Sequence, residues 1–342
     1  MNQTEIGFFC SPIGLGHASR DIAISEFLQG RNIHFVSGIG AAKLIRQYGY
    51  SVNDDYHPPN FDVQNGILKG SLGWLWKYYR YYNDCKKISQ KFIDNEKPRV
   101  IVSDEDFSSL TIAQQKKIPS ILITDILETH FTSGIGSIIE RKMNKSMKEI
   151  IEKCNTVIVP ETGSDQENIK RVGPIVRSTR YSRNELRKKF GFDKKTVVAS
   201  VGGTNAGKFL IEKIIQVSEK LKDVELVLIS GPSIKIQNEN IKNLGFVDNL
   251  HEIIYAADLI VSLAGKSTID ESRAYGTPGI FIPIKGHFEQ EDNARDEGYE
   301  FDDVFKLDSL IQEKLDSKRM QMQTDGAKKA AQIILGYLGA NP

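Results

Sequence analysis

The sequence contains few cysteines and almost no net charge. Its three cysteines, Cys10, Cys85 and Cys154, form no Cys-x-x-Cys pair, so we expect neither a zinc site nor a disulfide framework. Forty-five basic side chains against 44 acidic ones leave a formal net charge of +1. That balance gives no electrostatic reason to expect nucleic acid as a partner. The cysteine pattern suits the reducing cytoplasm.

Long hydrophobic runs are absent as well. No apolar stretch approaches the length of about 18 residues that spans a bilayer. Residues 1–11 lack the basic start of a secretory signal peptide. Hydrophobic residues make up 40% of the chain and charged residues 26%, which is ordinary for a globular protein. We therefore expect a cytoplasmic globular protein without a membrane span.

Short apolar runs of strand length alternate with helical stretches along the chain. The runs are continuous in hydrophobicity, which is typical of parallel strands buried on both faces. They cover residues 6–9, 33–36, 99–102, 120–123, 156–159, 196–201, 224–229, 258–261 and 279–282. Two successive series of strand–helix units predict an α/β protein with two doubly wound domains.

The chain length supports the same division. Since 342 residues exceed what one hydrophobic core usually serves, two domains are expected. The break is expected at residues 171–176, after the last strand of the first series and before a charged stretch. We therefore place a first domain at residues 1–176 and a second at residues 177–322.

Three glycine-rich loops follow predicted strands, at residues 11–20, 202–208 and 264–271. In such sheets, ligands bind at the carboxyl ends of the strands, where glycine lets the backbone approach phosphate and helix N-termini attract anions. The second loop also fits the GxxxxGK part of an ATPase phosphate loop. Its next residue is Phe209, whereas that motif needs Ser or Thr to hold magnesium. We therefore do not predict an ATPase.

The third loop opens a pattern of four elements, which are Gly265–Glu271, Gly276–Pro278, Phe281–Pro283 and Gln290–Ala294. This pattern resembles the donor site of GT-B glycosyltransferases, and particularly the family of the peptidoglycan N-acetylglucosaminyltransferase MurG and its eukaryotic counterparts acting on dolichol-linked sugars. Residues 245–250 and 172–177 match the same family. The resemblance implies two Rossmann-like domains facing a central cleft, with a final helix (residues 323–342) that packs back on the N-terminal, acceptor-binding domain.

The resemblance also implies how the third loop binds a nucleotide. Glu271 would accept hydrogen bonds from both ribose hydroxyls. Ser267 and Thr268, directly after Gly265, would meet the diphosphate at a helix N-terminus. The alternatives are simple N-capping by Ser267 or Thr268 and a solvated helix face for Glu271.

Further donor contacts are implied outside the third loop. The matching residues are Gly203, Thr204, Arg177, Phe246, Val247 and Gln290. The first two would cradle the phosphates, and the arginine would add a charge-assisted contact to them. The next two match the segment that holds the base, and the glutamine matches one that binds sugar hydroxyls.

His17 lies in the first glycine-rich loop, at the end of a predicted strand. In many inverting GT-B enzymes a histidine at this loop is the general base, oriented by an aspartate after a later strand; Asp104 resembles that aspartate in its setting. A carboxylate on one imidazole nitrogen fixes the tautomer and raises the basicity of the other nitrogen. The alternatives are N-capping or a phosphate contact for His17, and helix capping for Asp104.

The segment Asp104-Glu105-Asp106 is also formally a DxD metal motif. Because acidic matches of three residues are common by chance, we expect no essential metal. No cofactor is expected beyond the nucleotide sugar, which is a co-substrate.

An aromatic and basic segment at residues 69–92 completes the predicted functional features. It contains Trp74, Trp76 and Arg80, and six basic residues against one acidic residue give it a local charge of +5. Tryptophan and tyrosine beside lysine and arginine suit the interface of an anionic bilayer. We therefore expect this segment to meet the acceptor and a membrane surface; the alternative is a core helix with solvated lysines.

Together these features predict an inverting transferase. It would move a hexose or N-acetylhexosamine from a nucleotide diphosphate sugar, with uridine as the expected nucleoside, to the hydroxyl of a polyprenyl-linked acceptor at the cytoplasmic membrane face. The alternatives are a UDP-sugar hydrolase of the same fold and a non-catalytic sugar-nucleotide-binding partner subunit. The intact segment Gln290–Ala294 argues against the hydrolase, and the presence of His17 argues against the partner subunit.

Overall fold

The computed structural model describes residues 3–69, 71–129, 136–202, 205–221, 223–230 and 241–339. The chain forms two compact units. The first comprises Met1–Asn60, Gly70–Val176 and Thr324–Pro342, and the second comprises Phe61–Lys69 and Arg177–Gln323. The chain thus passes between the units after Val176, where the first predicted domain ends.

The first unit is built on a parallel sheet of seven strands, with helices between them. The strands are β1 (Ile6–Cys10), β2 (Ile33–Ser37), β3 (Ser51–Asp54), β6 (Val100–Asp104), β7 (Ser120–Ile123), β8 (Thr156–Val159) and β9 (Ile169–Arg171). They lie in the order β3-β2-β1-β6-β7-β8-β9. The helices are α1 (Gly16–Ser25), α2 (Ile39–Gln47), α3 (Ser71–Glu96), α4 (Phe107–Gln115), α5 (Gly136–Lys153) and α12 (Gly326–Gly336).

The C-terminal helix α12 is part of this first unit. It packs against α1, and just beyond it the hydroxyl of Tyr337 lies 2.6 Å from that of Thr156. The Arg99 guanidinium donates a hydrogen bond to the carbonyl of Leu338. These contacts tie the end of the chain to the N-terminal sheet.

The second unit contains a smaller parallel sheet in the order β12-β11-β10-β13-β14. Its strands are β10 (Lys195–Ser200), β11 (Val224–Ile229), β12 (Lys242–Asn243), β13 (Leu259–Leu263) and β14 (Gly279–Ile282). Its helices are α6 (Arg183–Phe190), α7 (Lys208–Ser218), α8 (Leu250–Ala256), α9 (Lys266–Tyr275), α10 (Phe288–Asp296) and α11 (Leu307–Lys314). Short 3-10 turns occur at Asn205–Gly207 and Phe301–Lys306.

Burial explains why continuous apolar runs in the sequence predict the strands. Every residue of β1, β6, β7 and β8 is buried, so these strands carry apolar side chains on both faces. The order of each sheet brings the carboxyl ends of neighbouring strands together. These ends are where doubly wound sheets bind ligands.

One segment departs from the predicted domain boundaries. Residues 61–69 fall inside the predicted first domain, but they belong to the second unit. They form a hairpin of β4 (Asp62–Gln64) and β5 (Ile67–Lys69). The cause is main-chain pairing, because Leu68 N–H donates to the carbonyl of Lys285 (2.9 Å) and Lys285 N–H donates to that of Gly66 (2.8 Å).

Candidate active site

His17 and Asp104 meet at the carboxyl end of the first sheet. Strands β1 and β6 are neighbours with Cys10 opposite Asp104, and α1 begins at Gly16, within the first glycine-rich loop. This arrangement places His17 Nδ1 2.9 Å from Asp104 Oδ1. The two residues are 87 positions apart in the chain, so only the strand register brings them together.

Neither residue is a helix cap, although capping was the alternative for each. The N-cap position of α1 is Leu15, and His17 is the second residue of the helix. The N-cap of α4 is Asp106, whose side chain accepts hydrogen bonds from the N–H groups of Ser108 and Ser109. The Asp104 carboxylate is therefore available to His17.

Asp104 is fully buried and is clamped by Arg20. The guanidinium donates from Nε to Oδ2 at 2.8 Å and from Nη2 to Oδ1 at 2.5 Å. Burial by itself would raise the pKa of Asp104, but Arg20 and His17 hold the pKa well below its ordinary value. Asp104 is thus a carboxylate at any physiological pH.

The imidazole of His17 has a carboxyl group near each of its nitrogens. Nδ1 contacts Asp104, and Nε2 lies 3.7 Å from Glu105 Oε2. Burial lowers the pKa of His17, but the charges of Asp104 and Glu105 outweigh that effect and raise the pKa to about 9. In the free protein, His17 is therefore an imidazolium at neutral pH.

Three members of this cluster, Arg20, Glu105 and Asp125, were not predicted from the sequence. Arg20 Nη1 lies 3.4 Å from Asp125 Oδ1, and Glu105 has a φ of 55°, a backbone conformation that is costly outside glycine and concentrates at functional sites. Burial raises the pKa of Glu105, and Asp125 adds to the rise. Two of them could have been found by their position: Glu105 directly follows β6, Asp125 lies two residues after β7, and these strands are neighbours in the order β1-β6-β7.

The formal DxD segment does not behave as one site. Asp104 pairs with Arg20 and His17, whereas Asp106 caps α4 and accepts a hydrogen bond from the hydroxyl of Tyr56 at 2.9 Å. In the part of the chain that the structure describes, no group of three His, Cys, Asp or Glu side chains is arranged to hold a metal ion.

In the second unit, α9 starts directly at the third glycine-rich loop. Gly265 occupies the N-cap position, and no described side chain caps this helix. Ser267 and Thr268 lie in the first turn, so they are not the N-cap residues of the alternative interpretation. The uncapped N–H groups of the first turn are suited to an anion.

Glu271 is one turn further along α9 and is only 3% exposed, which excludes the solvated helix face. Arg177 Nε lies 3.9 Å from its carboxylate. Arg177 is itself 2% exposed and donates from Nη1 to the carbonyl of Asp248 at 2.7 Å. The guanidinium of Arg177 is thus buried between Glu271 and the turn at residues 245–249, and its expected contact with phosphate stays a prediction.

That turn carries Phe246 and Val247. It begins at Gly245, which has a φ of 63° and donates its N–H to Asn243 Oδ1 at 2.9 Å. Val247 packs against the hydrophobic core of the second unit. Arg177 thus connects this turn to Glu271, two elements expected to bind the same nucleoside.

Gln290 lies in the first turns of α10. Its side-chain oxygen accepts a hydrogen bond from Ile284 N–H at 3.1 Å, and Asn293 Nδ2 donates to the carbonyl of Ala264 at 3.2 Å. Helix α10 is therefore fixed both to the loop after β14 and to the third glycine-rich loop. The predicted phosphate residues Gly203 and Thr204 lie outside the described residues.

Residues 71–92 of the aromatic and basic segment form most of α3. Trp76 is 62% exposed and Tyr79 63% exposed, and Arg80 lies over the Trp76 ring at 5.0 Å. Trp74 differs, since it stacks on Tyr78 at 4.9 Å. Its indole N–H also donates to the carbonyl of Pro59. The segment is therefore partly packed and partly a surface.

A groove of about 430 Å³ lies beside this part of α3. His57, Trp76, Lys77, Arg80 and Tyr81 contribute to its lining. Because Asp55 and Asp84 line it as well, the groove combines aromatic faces with charges of both signs. Within the described ranges, no helix is long and apolar enough to cross a membrane.

Comparisons with known proteins agree with this geometry. Residues 197–332 match the glycosyltransferase family 28 C-terminal domain. A protein of Methanosarcina acetivorans described as an uncharacterized glycosyltransferase is 27% identical over 318 residues, covering 85% of this chain and 83% of the relative. The UDP-N-acetylglucosamine–N-acetylmuramyl-(pentapeptide) pyrophosphoryl-undecaprenol N-acetylglucosamine transferase of Caldicellulosiruptor saccharolyticus is 26% identical over 312 residues, covering 83% of this chain and 79% of that enzyme.

Solved structures share the fold. The glycotransferase of kitacinnamycin superposes with a TM-score of 0.68 at 15% identity, covering 99% of this chain and 100% of that one. MurG of Acinetobacter baumannii superposes with a TM-score of 0.57 at 14% identity, covering 97% and 99%. The chain is therefore a glycosyltransferase of the GT-B fold that is similar to MurG, and residues 197–332 match the family 28 C-terminal domain.

Proposed function

We propose that the protein catalyses inverting transfer of a hexose or N-acetylhexosamine from a UDP-sugar to the hydroxyl of a polyprenyl-linked acceptor, at the cytoplasmic face of a membrane. The observation that carries this proposal is the pair of His17 and Asp104, 2.9 Å apart at the carboxyl end of the first sheet. A histidine oriented by a buried carboxylate is the arrangement that general-base catalysis needs.

The chemical step uses the Nε2 side of His17. The acceptor oxygen forms the new bond to C1 of the sugar while its proton passes to Nε2. The bond from C1 to the diphosphate oxygen breaks, and the nucleotide leaves with that electron pair. Asp104 at Nδ1 stabilises the imidazolium that forms, and Arg20 keeps Asp104 ionised.

The donor would be bound by the second unit. Glu271 would accept hydrogen bonds from the ribose hydroxyls, with Arg177 holding its carboxylate in place from 3.9 Å. Ser267, Thr268 and the uncapped start of α9 would meet the diphosphate. Gly203 and Thr204 would complete the phosphate contacts, and no metal ion takes part in the proposed step.

The UDP-sugar and the lipid-linked acceptor are supported by the Caldicellulosiruptor relative, whose name includes both a UDP-sugar and a pyrophosphoryl-undecaprenol acceptor. On this chain, the exposed face of α3 would meet anionic headgroups through Trp76 and Arg80. The adjacent groove would lead the acceptor into the first unit. Those contacts would support peripheral docking, which we place at the cytoplasmic face as part of the proposal.

A thermal-shift panel of nucleotides tests the donor first. Uridine, thymidine, guanosine and adenosine diphosphates are compared with their sugar conjugates, because a ligand that binds only the native state raises the melting temperature. We expect the uridine compounds to give the largest shifts. If another nucleotide raised the melting temperature more than UDP, that nucleotide would take the place of UDP as the proposed donor nucleotide.

Product analysis with the best donor then tests the reaction. Polyprenyl-diphosphate-linked sugars and water-soluble sugars are offered in parallel, and free sugar is quantified in the absence of acceptor. A β-configured product from an α-configured donor supports inversion. Free sugar as the sole product would favour the hydrolase instead.

A further inference from the structure

The hairpin at residues 61–69 has no assigned role. Its two strands of three residues pair in the register Asp62–Lys69, Val63–Leu68 and Gln64–Ile67. The turn residues Asn65 and Gly66 have φ angles of 48° and 78°, which is the pattern of a type I′ turn. A hairpin this short is not stable alone in water, so its place in the molecule depends on what it packs against.

The hairpin is anchored on the loop that follows β14. Besides its two main-chain hydrogen bonds with Lys285, Ile67 forms a parallel bridge with the same residue. Gly66 lies against aromatic rings. A Cβ there would lie 2.6 Å from Phe301 Cε2 and 2.9 Å from Phe209 Cδ2, so only glycine fits between the turn and these rings.

The hairpin also reaches the second glycine-rich loop. Strand β4 lies against the 3-10 turn Asn205–Gly207, which follows β10. The hairpin therefore touches the loops after both β10 and β14, on either side of the third glycine-rich loop in the order β10-β13-β14. Those loops are the ones to which the phosphates and the sugar of the donor are assigned.

A short chain of main-chain contacts connects the hairpin to Gln290. Residues 284–286 of the loop after β14 form hydrogen bonds alternately with α10 and with the hairpin. Ile284 N–H donates to Gln290 Oε1 at 3.1 Å, Lys285 exchanges hydrogen bonds with the hairpin, and Gly286 N–H donates to Glu291 Oε1 at 2.9 Å. Because an N–H donor fixes which end of the amide is oxygen, the opposite end of the Gln290 side chain is its NH₂ donor.

We propose that the hairpin at residues 61–69 is a positioning element for the sugar part of the donor, which aims the Gln290 amide by fixing residues 284–286. The ligand class is the pyranose of a nucleotide diphosphate sugar, whose hydroxyls accept the amide N–H bonds. This inference rests on the proposed function. Hydrogen bonds weaken steeply with misalignment, so a displaced loop lowers affinity for the sugar while Glu271 still binds the nucleoside.

The test compares Gly66→Ala with a matched control, Gly191→Ala. Both glycines have a positive φ, 78° and 67°, so both substitutions impose similar backbone strain. At Gly191, however, a Cβ would meet no atom closer than Lys242 Nζ at 3.7 Å. Calorimetry then measures the affinities for UDP and for UDP-N-acetylglucosamine, and the quantity of interest is the ratio of the two.

We expect Gly66→Ala to lower the affinity for UDP-N-acetylglucosamine about tenfold relative to UDP, the scale of one net hydrogen bond, and Gly191→Ala to leave the ratio unchanged. In a Gln290→Ala background, Gly66→Ala should change the ratio no further. Phe301→Leu, which loosens the packing around Gly66 without backbone strain, should act in the same direction and serves if Gly66→Ala fails to fold.

An unchanged ratio in Gly66→Ala and Phe301→Leu, or full additivity with Gln290→Ala, would overturn the role of the hairpin while leaving the proposed function intact. Failure of the wild-type protein to bind UDP and UDP-N-acetylglucosamine would overturn the proposed donor instead. That result appears before any variant is measured, so the two failures are distinguishable.

Discussion

Arg20 and Asp104 form a two-point contact at the centre of the first unit, with guanidinium nitrogens 2.8 and 2.5 Å from the two carboxylate oxygens. The same carboxylate accepts from His17. Arg20 therefore keeps Asp104 charged, but its positive charge also opposes protonation of His17. The pKa of His17, the proposed general base, therefore depends on the balance between one buried cation and two nearby carboxyl groups.

His17→Ala should lower kcat by about 10²- to 10⁴-fold and leave the affinity for UDP nearly unchanged, because His17 lies in the first unit and the nucleoside contacts lie in the second. Single-turnover kinetics and calorimetry measure the two quantities. His34→Gln, on the neighbouring strand β2, is the control and should retain activity. Loss of UDP binding with surviving turnover would make His17 a phosphate ligand.

Activity should rise with pH. Only the neutral imidazole accepts a proton, and the pKa of His17 is raised to about 9, so kcat/KM should increase from pH 7 and level off above pH 9. Asp104→Asn removes the largest charge that raises this pKa. Its profile should therefore shift toward lower pH with a reduced plateau. A flat profile between pH 6 and 10 would show that another group is the base.

Arg20→Met should destabilise the first unit by about 3–5 kcal/mol, because it removes the two-point cationic partner of the buried Asp104 and leaves only His17 beside it. Both tryptophans of the chain, Trp74 and Trp76, lie in α3 of this unit, so tryptophan fluorescence during urea unfolding reports on it selectively. The control is Arg31→Met, which breaks a more exposed pair with Glu5 and should cost less than about 1 kcal/mol. Equal losses for the two variants would contradict the buried clamp.

Glu271→Ala should weaken UDP binding by about 2–3 kcal/mol, the value of hydrogen bonds to a charged group. Arg177→Gln should weaken it as well, since Arg177 holds both Glu271 and the turn at residues 245–249. Glu219→Ala, on the exposed end of α7, is the control in the same calorimetry. If Glu271→Ala bound UDP with wild-type affinity, Glu271 would not be part of the nucleoside site.

Membrane docking should depend on Trp76 and not on Trp74. In liposome flotation we expect binding to require anionic lipid and to fade in about 0.5 M salt, because the attraction of the lysines and arginine is electrostatic. Trp76→Ala should reduce the bound fraction. Trp74→Ala should mainly lower stability, since that ring is stacked on Tyr78. Activity on water-soluble acceptors without any flotation would make α3 an ordinary packed helix.

The local sequence determined the fold class and the class of enzyme. Continuous apolar runs identify β1, β6 and β10 because strands buried on both faces leave no polar alternation. The four elements of the motif lie close together, between Gly265 and Ala294, so their order and spacing are enough to indicate the resemblance to GT-B glycosyltransferases. The local sequence also placed His17 just after β1 and Glu271 in the helix that follows β13, since the order of strand, loop and helix is a local property.

Only the tertiary structure decided which of these residues meet. The contacts of Asp104 with His17 and Arg20 span 87 and 84 positions, and they depend on strand order and register, which apolar periodicity does not encode. The tertiary structure also places the buried Arg177 Nε 3.9 Å from the Glu271 carboxylate, a contact across 94 positions of the chain that the sequence did not predict. The residues Asn65-Gly66 are a local signal for a hairpin turn. Which unit the hairpin joins depends on its pairing with Lys285, because a main-chain N–H or carbonyl bonds to whichever partner the fold brings near.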